Sequence, residues 1–522
     1  MKTSTLNANN PLVDDASWIG TPSKALLLGI VNDPTLHPER TNATLARIEE
    51  ILGMLPGAVE GGVFPRCVAA AGPGAGYFDP LSAVAGEAVA AVLEAALDPA
   101  SCAQVAEFLM ESELSTGEVI QLHKDFKIPV SHLEDDLLPV KGDGAWIKDS
   151  TGKVYLDLDS NYSATNLGNA NAELALGLFN QASLLVSQKE DRIQVARARF
   201  LKEFKGVLPE GLTCFYWQNS GGEAVDKALK IAKAYTGQTG VIAFEGGFHG
   251  RTHGAVSVTH KRAYRAPFGL DETGWVHFAP FGDAGAVESM LASGQARIVI
   301  LELIQGEEAG VRPASKAFAG ALRDLCDRYG ALLIVDEVQT GFARVASGPG
   351  QWFACQEAGI VPDLMVIGKS FGGGYPVTAV VTKKAVSEAM QGGWDGSTFG
   401  GNPMAMTAAL IATRQMKALD LPAKVAAKSA LFKEGLSKIQ SPLFKGFRAC
   451  GLMIGVDLES AECVKAVQEA MKLHGAHGSL STGATMRWMP PLILSTEEVN
   501  QILEAFTAAL KDVEDGARSP GS

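Results

Sequence analysis

Lys369 and Asp336 are the two residues whose types and settings could do chemistry together. Lys369 follows the apolar run Leu364-Met365-Val366-Ile367-Gly368 and precedes the glycine-rich stretch Ser370-Phe371-Gly372-Gly373-Gly374. Asp336 closes a second apolar run within LLIVDEVQTG at 332–341. One buried strand ending in a carboxylate, and another ending in a lysine on a glycine-permitted turn, suit one cofactor especially well. The lysine can form a Schiff base with pyridoxal 5'-phosphate, and the aspartate can pair with its protonated ring nitrogen. Taken singly, each residue has a plainer reading: a snorkelling lysine at a strand end, or an aspartate capping a helix.

Further segments add to the pair. In Gln218-Asn219-Ser220-Gly221-Gly222-Glu223-Ala224, small residues between a strand and a helix let the N–H groups at Ser220, Gly221 and Gly222 meet a phosphate; a tight turn would look the same. In Gly246-Gly247-Phe248-His249-Gly250-Arg251-Thr252 the glycines admit a flat ring on which Phe248 could stack, although Phe248 and His249 also suit a plain core. Beyond Asp336, Val338 can press on the opposite ring face and Gln339 can reach a ring hydroxyl. A buried carboxylate costs several kcal/mol without a partner, and a pyridinium N–H is one. Ser397-Thr398-Phe399-Gly400-Gly401-Asn402-Pro403 offers hydroxyls before paired glycines, suited to phosphate or to an ordinary turn. Arg487, in MRWMPPL at 486–492, can bind a carboxylate in a fork, and Glu307, in Gln305-Gly306-Glu307, could occupy it at other times.

Alternating strand and helix patterns must position these groups. Strands are expected at Thr213–Trp217, Val241–Phe244, Ile298–Leu303, Leu332–Asp336, Leu364–Ile367 and Val377–Val381. Helices are expected at Glu223–Tyr235, with Val225, Ala228, Leu229 and Ala232 on one face, and at Lys316–Tyr329, stopped by Gly330. Buried strands with helices between them indicate an α/β domain with a mostly parallel sheet. After about 415 the pattern is helix-rich with short strands such as Leu452–Leu458, a smaller α+β domain expected to include part of 140–165. Upstream, helices are expected over 81–97 and 103–114, without a catalytic motif. The resulting divisions are a helical extension 1–130, small-domain segments 131–165 and 411–515, a large domain 166–410, and a tail 516–522.

Bulk properties narrow the classes. The 522 residues, 47% hydrophobic, can build a sizeable core, and a net charge of −13 argues against nucleic acid or an anionic membrane as partner. No signal peptide or membrane span is evident, and seven scattered cysteines read as reduced thiols, so a cytoplasmic protein is expected. Nine histidines form no metal-binding motif, so no metal is expected.

In order and spacing these segments resemble the class III pyridoxal-phosphate aminotransferases of fold type I, over about 140–515. The motifs are SGGEA at 220–224, FEGGFHGRT at 244–252, LELIQGE at 301–307, VDEVQTGF at 335–342, GKSFGGGYP at 368–376 and STFGGNP at 397–403. Ornithine-, acetylornithine- and 4-aminobutyrate-type enzymes are nearest in character. The resemblance implies that Lys369 carries the cofactor and moves the proton, that Asp336 holds the ring nitrogen, and that Phe248 and Val338 enclose the ring. It places Gln339 on the ring hydroxyl, Gly221 and Gly222 on the phosphate, and Thr398 on the phosphate of a neighbouring subunit, which implies a homodimer or a dimer of dimers. Arg487 would bind the α-carboxylate of glutamate and 2-oxoglutarate, Glu307 would mask it, and Tyr162 and Arg251 would line the distal pocket. The expected activity is transfer of a terminal amine to 2-oxoglutarate; an aminomutase or amino-acid epimerase is the alternative, and a non-catalytic scaffold a third. Three departures stand out: Leu303 where the family has proline, Gly168-Asn169-Ala170-Asn171-Ala172 where it has a histidine-rich segment, and the long N-terminal extension.

Overall fold

The computed structural model describes residues 115–518 except 132–136, 172, 175–176, 179–180, 183–184 and 479. The helices expected over 81–97 and 103–114 lie outside the described residues. Two compact units emerge, one taking in residues up to Asp143 with Ile147–Lys153 and Ala170–Leu184, the other Gly144–Trp146, Val154–Asn169 and Leu185 onward. In the first, the helix Thr116–Phe126 starts with a capping box between Ser115 and Glu118 and buries none of its side chains.

The second unit carries the site on a seven-stranded sheet. Its strands are β1 (Leu212–Gln218), β2 (Val241–Phe244), β3 (Val276–Ala279), β4 (Ile298–Leu301), β5 (Leu332–Asp336), β6 (Leu364–Ile367) and β7 (Thr378–Lys383). They lie in the order β1-β7-β6-β5-β4-β2-β3. Only β7 runs antiparallel to its neighbours. Every residue of β2, β4, β5 and β6 is buried, which is why these segments read as unbroken apolar runs. Each such aliphatic side chain contributes about 2 kcal/mol on burial, and the sheet's place and register follow from that.

The helices α1 (Gly221–Thr236) and α2 (Lys316–Tyr329) bury the faces expected of them. Both end on a left-handed glycine, Gly237 at φ 64° and Gly330 at φ 60°. Two strand expectations need adjustment. The Ile298 strand stops at Leu301, because Glu302 already turns into the cavity described below. The edge strand β3 was missed: three of its four residues are only half-buried, so it lacks the apolar run of its neighbours.

A second sheet is built from β8 (Phe444–Cys450), β9 (Met453–Leu458), β10 (Leu480–Thr482) and β11 (Thr485–Trp488) in the order β8-β9-β11-β10, all antiparallel. Val154–Asp157 pairs in parallel with Ala476–His477. The described cysteines, at 214, 326, 355, 450 and 463, are all free. Among the described residues no helix is long and apolar enough to cross a membrane.

Candidate active site

Strand direction brings the chemistry together. Because β2, β4, β5 and β6 are mutually parallel, their carboxyl ends share one edge, and β1, two antiparallel steps from β6, ends there too. Phe248 and His249 beyond β2, Glu302 after β4, Asp336 ending β5 and Lys369 beyond β6 therefore converge with Ser220–Gly222 beyond β1. They line a cavity of about 640 Å³ with Arg251, Thr252, Glu307, Val338 and Gln339.

At its floor, Asp336 Oδ2 lies 2.8 Å from His249 Nδ1, and Asp336 Oδ1 accepts the Val338 N–H at 3.1 Å. The plainer reading of Asp336 as a helix cap therefore does not describe it, since no helix begins there. Glu302, buried beside this pair, accepts the Phe248 N–H at 2.8 Å. Burial raises its carboxyl to about 7, with Asp336 adding to the rise and His249 and the backbone N–H groups opposing it.

Lys369 adopts φ 47°, a region rarely used by residues with a side chain, on the short turn after β6. Burial pushes its amine below the ordinary lysine value; Glu307, Glu302 and Asp336 oppose the shift, and Arg487 reinforces it. A neighbouring backbone restricts the turn's motion: Ser370 Oγ donates to Ser163 O at 2.8 Å.

The wall beyond β1 is a helix N-terminus. Ser220 caps α1 while Glu223 accepts the N–H groups of Asn219 and Ser220, at 2.9 and 3.1 Å. The expected contribution of the Ser220 N–H is thus already taken, and Gly221 and Gly222 provide the first helical amides at the cavity. Space is tight: a Cβ on Gly250, at φ 124°, would come within 2.8 Å of Gly222 Cα, and one on Gly221 within 3.2 Å of Val338 Cγ1. Thr252 Oγ1, against Gly222, is buried without a partner in the protein. A helix N-terminus with glycine amides and an orphaned hydroxyl fits a phosphate, and a buried carboxylate fits a pyridinium N–H; the residues present suit pyridoxal phosphate.

On another side, Arg487 is 2% exposed and its Nη2 donates to Glu307 Oε2 at 3.1 Å. Its Nε and Nη1 are buried and unpartnered. Glu307 lines the cavity and Arg487 does not. Arg251 also lines it, with its guanidinium 3.5 Å from the Tyr264 ring centroid and 5.3 Å from that of Phe248.

Two of the expected site residues lie outside this cavity. Tyr162 is 49% exposed and does not line the cavity of its own chain; Asn161 and Ala164 do. The cause is a local reversal: Ser160, Asn161, Tyr162 and Ser163 all have positive φ, from 44° to 70°, which no sequence period announces. Thr398 is likewise exposed and lies outside this cavity. Glu302 and Thr252 are additions to the expected site, both inside the motifs given above; the signal for Glu302 is its place directly after a strand, and Thr252 precedes a short helix and carries no comparable signal.

Comparison with known proteins agrees with this geometry. A family model described as "Aminotransferase class-III" matches residues 129–510. The chain is 36% identical over 382 residues to the [LysW]-aminoadipate semialdehyde transaminase of Deinococcus radiodurans, covering 72% of this chain and 87% of that protein. It is 37% identical over 375 residues to the acetylornithine aminotransferase of Methanopyrus kandleri, covering 71% and 94%. Among solved structures it is similar to the ornithine aminotransferase of Toxoplasma gondii, with a TM-score of 0.71, 26% identity and coverage of 77% and 96%.

Proposed function

Since this chain belongs to the class-III aminotransferases, enzymes that use pyridoxal phosphate, we propose that it moves a terminal amine from an amino-acid donor to 2-oxoglutarate. The Glu307–Arg487 pair, its arginine buried and its glutamate half-buried, is the observation that carries this reading. Two unlike substrates must visit one site, one bearing a carboxylate on the reacting carbon where the other bears only hydrogen. An arginine with two unpartnered donors is ready for that carboxylate, and a glutamate that can leave it neutralises the charge at other times. Single-substrate isomerisation needs no such pair.

When bound, pyridoxal phosphate supplies a ring that accepts the electron pair released at the donor carbon. Lys369 Nζ would take the proton from that carbon and deliver it to the cofactor carbon that keeps the nitrogen; its lowered affinity for a proton favours the neutral amine needed for the first step. Asp336 would hold the proton on the ring nitrogen, and His249 Nδ1, 2.8 Å from Asp336 Oδ2, fixes the orientation of that carboxylate. Phe248 and Val338 would confine the ring, Gln339 would take its hydroxyl, and Gly221, Gly222 and Thr252 would hold the phosphate. Thr398, exposed on its own chain, serves the phosphate of a second copy, which makes the active unit a homodimer. At the far end Arg251 selects donors that carry a distal carboxylate, and the relatives named for acetylornithine support an acylated donor of that kind.

A screen of N-acetylornithine, ornithine, 4-aminobutyrate, lysine, diaminobutyrate and β-alanine against the cofactor-loaded protein tests the reading. One donor should bleach the absorbance of the lysine-bound cofactor, and 2-oxoglutarate should restore it. A band unmoved by every donor and by glutamate would remove the proposal.

A further inference from the structure

The masking glutamate sits on a loop whose backbone is held from outside. Thr482 Oγ1, on β10, donates to Glu307 O at 2.7 Å. Arg448, on β8, reaches the other end of the loop: Nε donates to Gly310 O at 3.2 Å and to Val311 O at 3.0 Å, and Nη2 donates to Gly310 O at 2.7 Å. The same guanidinium is gripped by Asp457 on β9, whose Oδ1 lies 2.8 Å from Nη2 and also accepts Thr485 Oγ1 at 2.6 Å. Although burial opposes it, the contacts with Arg448 and Thr485 keep the Asp457 carboxyl below its ordinary value.

The loop needs such a hold. Val311, β-branched, sits at φ 65° next to Gly310 at φ 63°, a conformation that persists only when surroundings impose it. Packing closes the remaining freedom: a Cβ on Gly306 would lie 2.0 Å from Gln339 Oε1, and one on Gly310 3.0 Å from Thr485. Thr485 and Arg487 both lie on β11. The strand that carries the arginine thus also abuts the loop that carries its partner.

We propose that Arg448 is a positioning residue for the Glu307–Arg487 pair, fixing the backbone of 306–311 so that only the Glu307 side chain moves when substrates alternate. This rests on the masking role given to Glu307 above. A fixed backbone returns the carboxylate to one place after each acceptor leaves, and Arg487 is then covered when the uncharged chain of a donor arrives. Without the anchor the loop takes several shapes, the pair is made less often, and the donor meets a bare guanidinium. The acceptor, which competes with Glu307, loses nothing.

The test compares wild type, Arg448→Met, Glu307→Gln and the double variant as holoenzymes. Half-reactions use N-acetylornithine as donor probe and 2-oxoglutarate as acceptor, alongside amide hydrogen exchange over 307–311. For Arg448→Met we expect exchange faster by roughly tenfold and a donor saturation constant raised roughly fivefold, about the effect of one misplaced ordinary hydrogen bond. The 2-oxoglutarate constant should hold or fall, and the double variant should be no worse than Glu307→Gln. Equal weakening of both halves, effects that add to those of Glu307→Gln, or unchanged exchange would overturn the proposal. Should Glu307→Gln itself fail to separate the halves, the masking role falls and takes the proposal with it; a split in Glu307→Gln but none in Arg448→Met sinks the proposal alone. If Arg448→Met does not fold, Arg448→Lys, which keeps the charge for Asp457 but not the fork for two carbonyls, should show a smaller split and faster exchange, and neither effect would count against Arg448.

Discussion

His249 and Asp336 act as one buried unit: the imidazole Nδ1 lies 2.8 Å from the carboxylate Oδ2, and neither side chain is more than 6% exposed. The contact settles which reading of His249 applies. It is not a loose core histidine, since its ring is tied to the carboxylate. On the function proposed above, its effect on the ring would be exerted through the aspartate.

Replacing His249 by Phe should therefore weaken catalysis without removing the cofactor. Asp336 would lose the ring contact that orients its carboxylate, and hydrogen bonds to a charged group are typically worth about 1.5–3 kcal/mol. We expect kcat to fall by roughly tenfold to a hundredfold, with cofactor still bound by absorbance. An unchanged kcat would show that the Val338 N–H alone is sufficient.

Lys369→Ala should lower turnover by roughly a thousandfold or more, the scale of a lost general base together with a lost covalent anchor. The cofactor should still bind noncovalently, because the phosphate wall and Asp336 remain. Mass spectrometry of the reduced protein should find no cofactor adduct. Substantial turnover in this variant would contradict the role given to Lys369.

Arg487→Ala should raise the saturation constant for 2-oxoglutarate far more than that for the donor, roughly a hundredfold against a few-fold. Stopped-flow measurement of each half-reaction separates them. Equal losses would mean that Arg487 is only a structural residue.

Glu302 gives the protein a pH dependence with a definite sign. Its folded-state carboxyl titrates near 7 against an ordinary value of 4.5, so the native state holds a proton that the unfolded chain releases earlier. The stability it confers is full below about 4.5 and is lost as pH rises through about 7. Glu302→Gln should therefore gain on wild type between pH 5 and pH 8, by on the order of 3 kcal/mol. Denaturant unfolding of the cofactor-free forms at both pH values measures this, and a difference that does not change with pH would refute it.

Gly250→Ala tests the phosphate wall by sterics alone. The added methyl would meet Gly222 Cα at 2.8 Å from a backbone already at φ 124°. Affinity for pyridoxal phosphate should drop at least tenfold, with a smaller loss for pyridoxal, which lacks the phosphate. Equal losses for the two would place Gly250 outside the phosphate site.

Much of this was legible beforehand, for identifiable reasons. The central strands are buried on both faces, so β2, β5 and β6 fall where Val241–Phe244, Leu332–Asp336 and Leu364–Ile367 were expected. Parallel strands then bring their ends together, and Lys369, Asp336 and Phe248 did meet. What could not be read depends on contacts distant in sequence. The half-buried β3 has no apolar run to betray it, the fully satisfied Glu337 looks no different in sequence from its neighbour Asp336, and the reversal at Ser160–Ser163 is imposed by partners elsewhere. Whether Asn161 or Tyr162 faces inward is decided by that reversal.

That turn is held like a bent spring. Asp157 accepts the Ser160 N–H at 2.8 Å, Asp159 accepts that of Tyr162 at 2.8 Å, Ser160 Oγ donates to Met489 O at 2.5 Å, and Ser370 grips Ser163. Left-handed geometry costs roughly 1–2 kcal/mol for each residue with a side chain, so the four together store elastic energy that an isolated peptide of this sequence would release by straightening. One of its clamps, Ser370, stands next to Lys369. The reversal that presents Asn161 and Ala164 to the cavity and the turn that carries Lys369 are thus tied to each other by a single side-chain hydrogen bond.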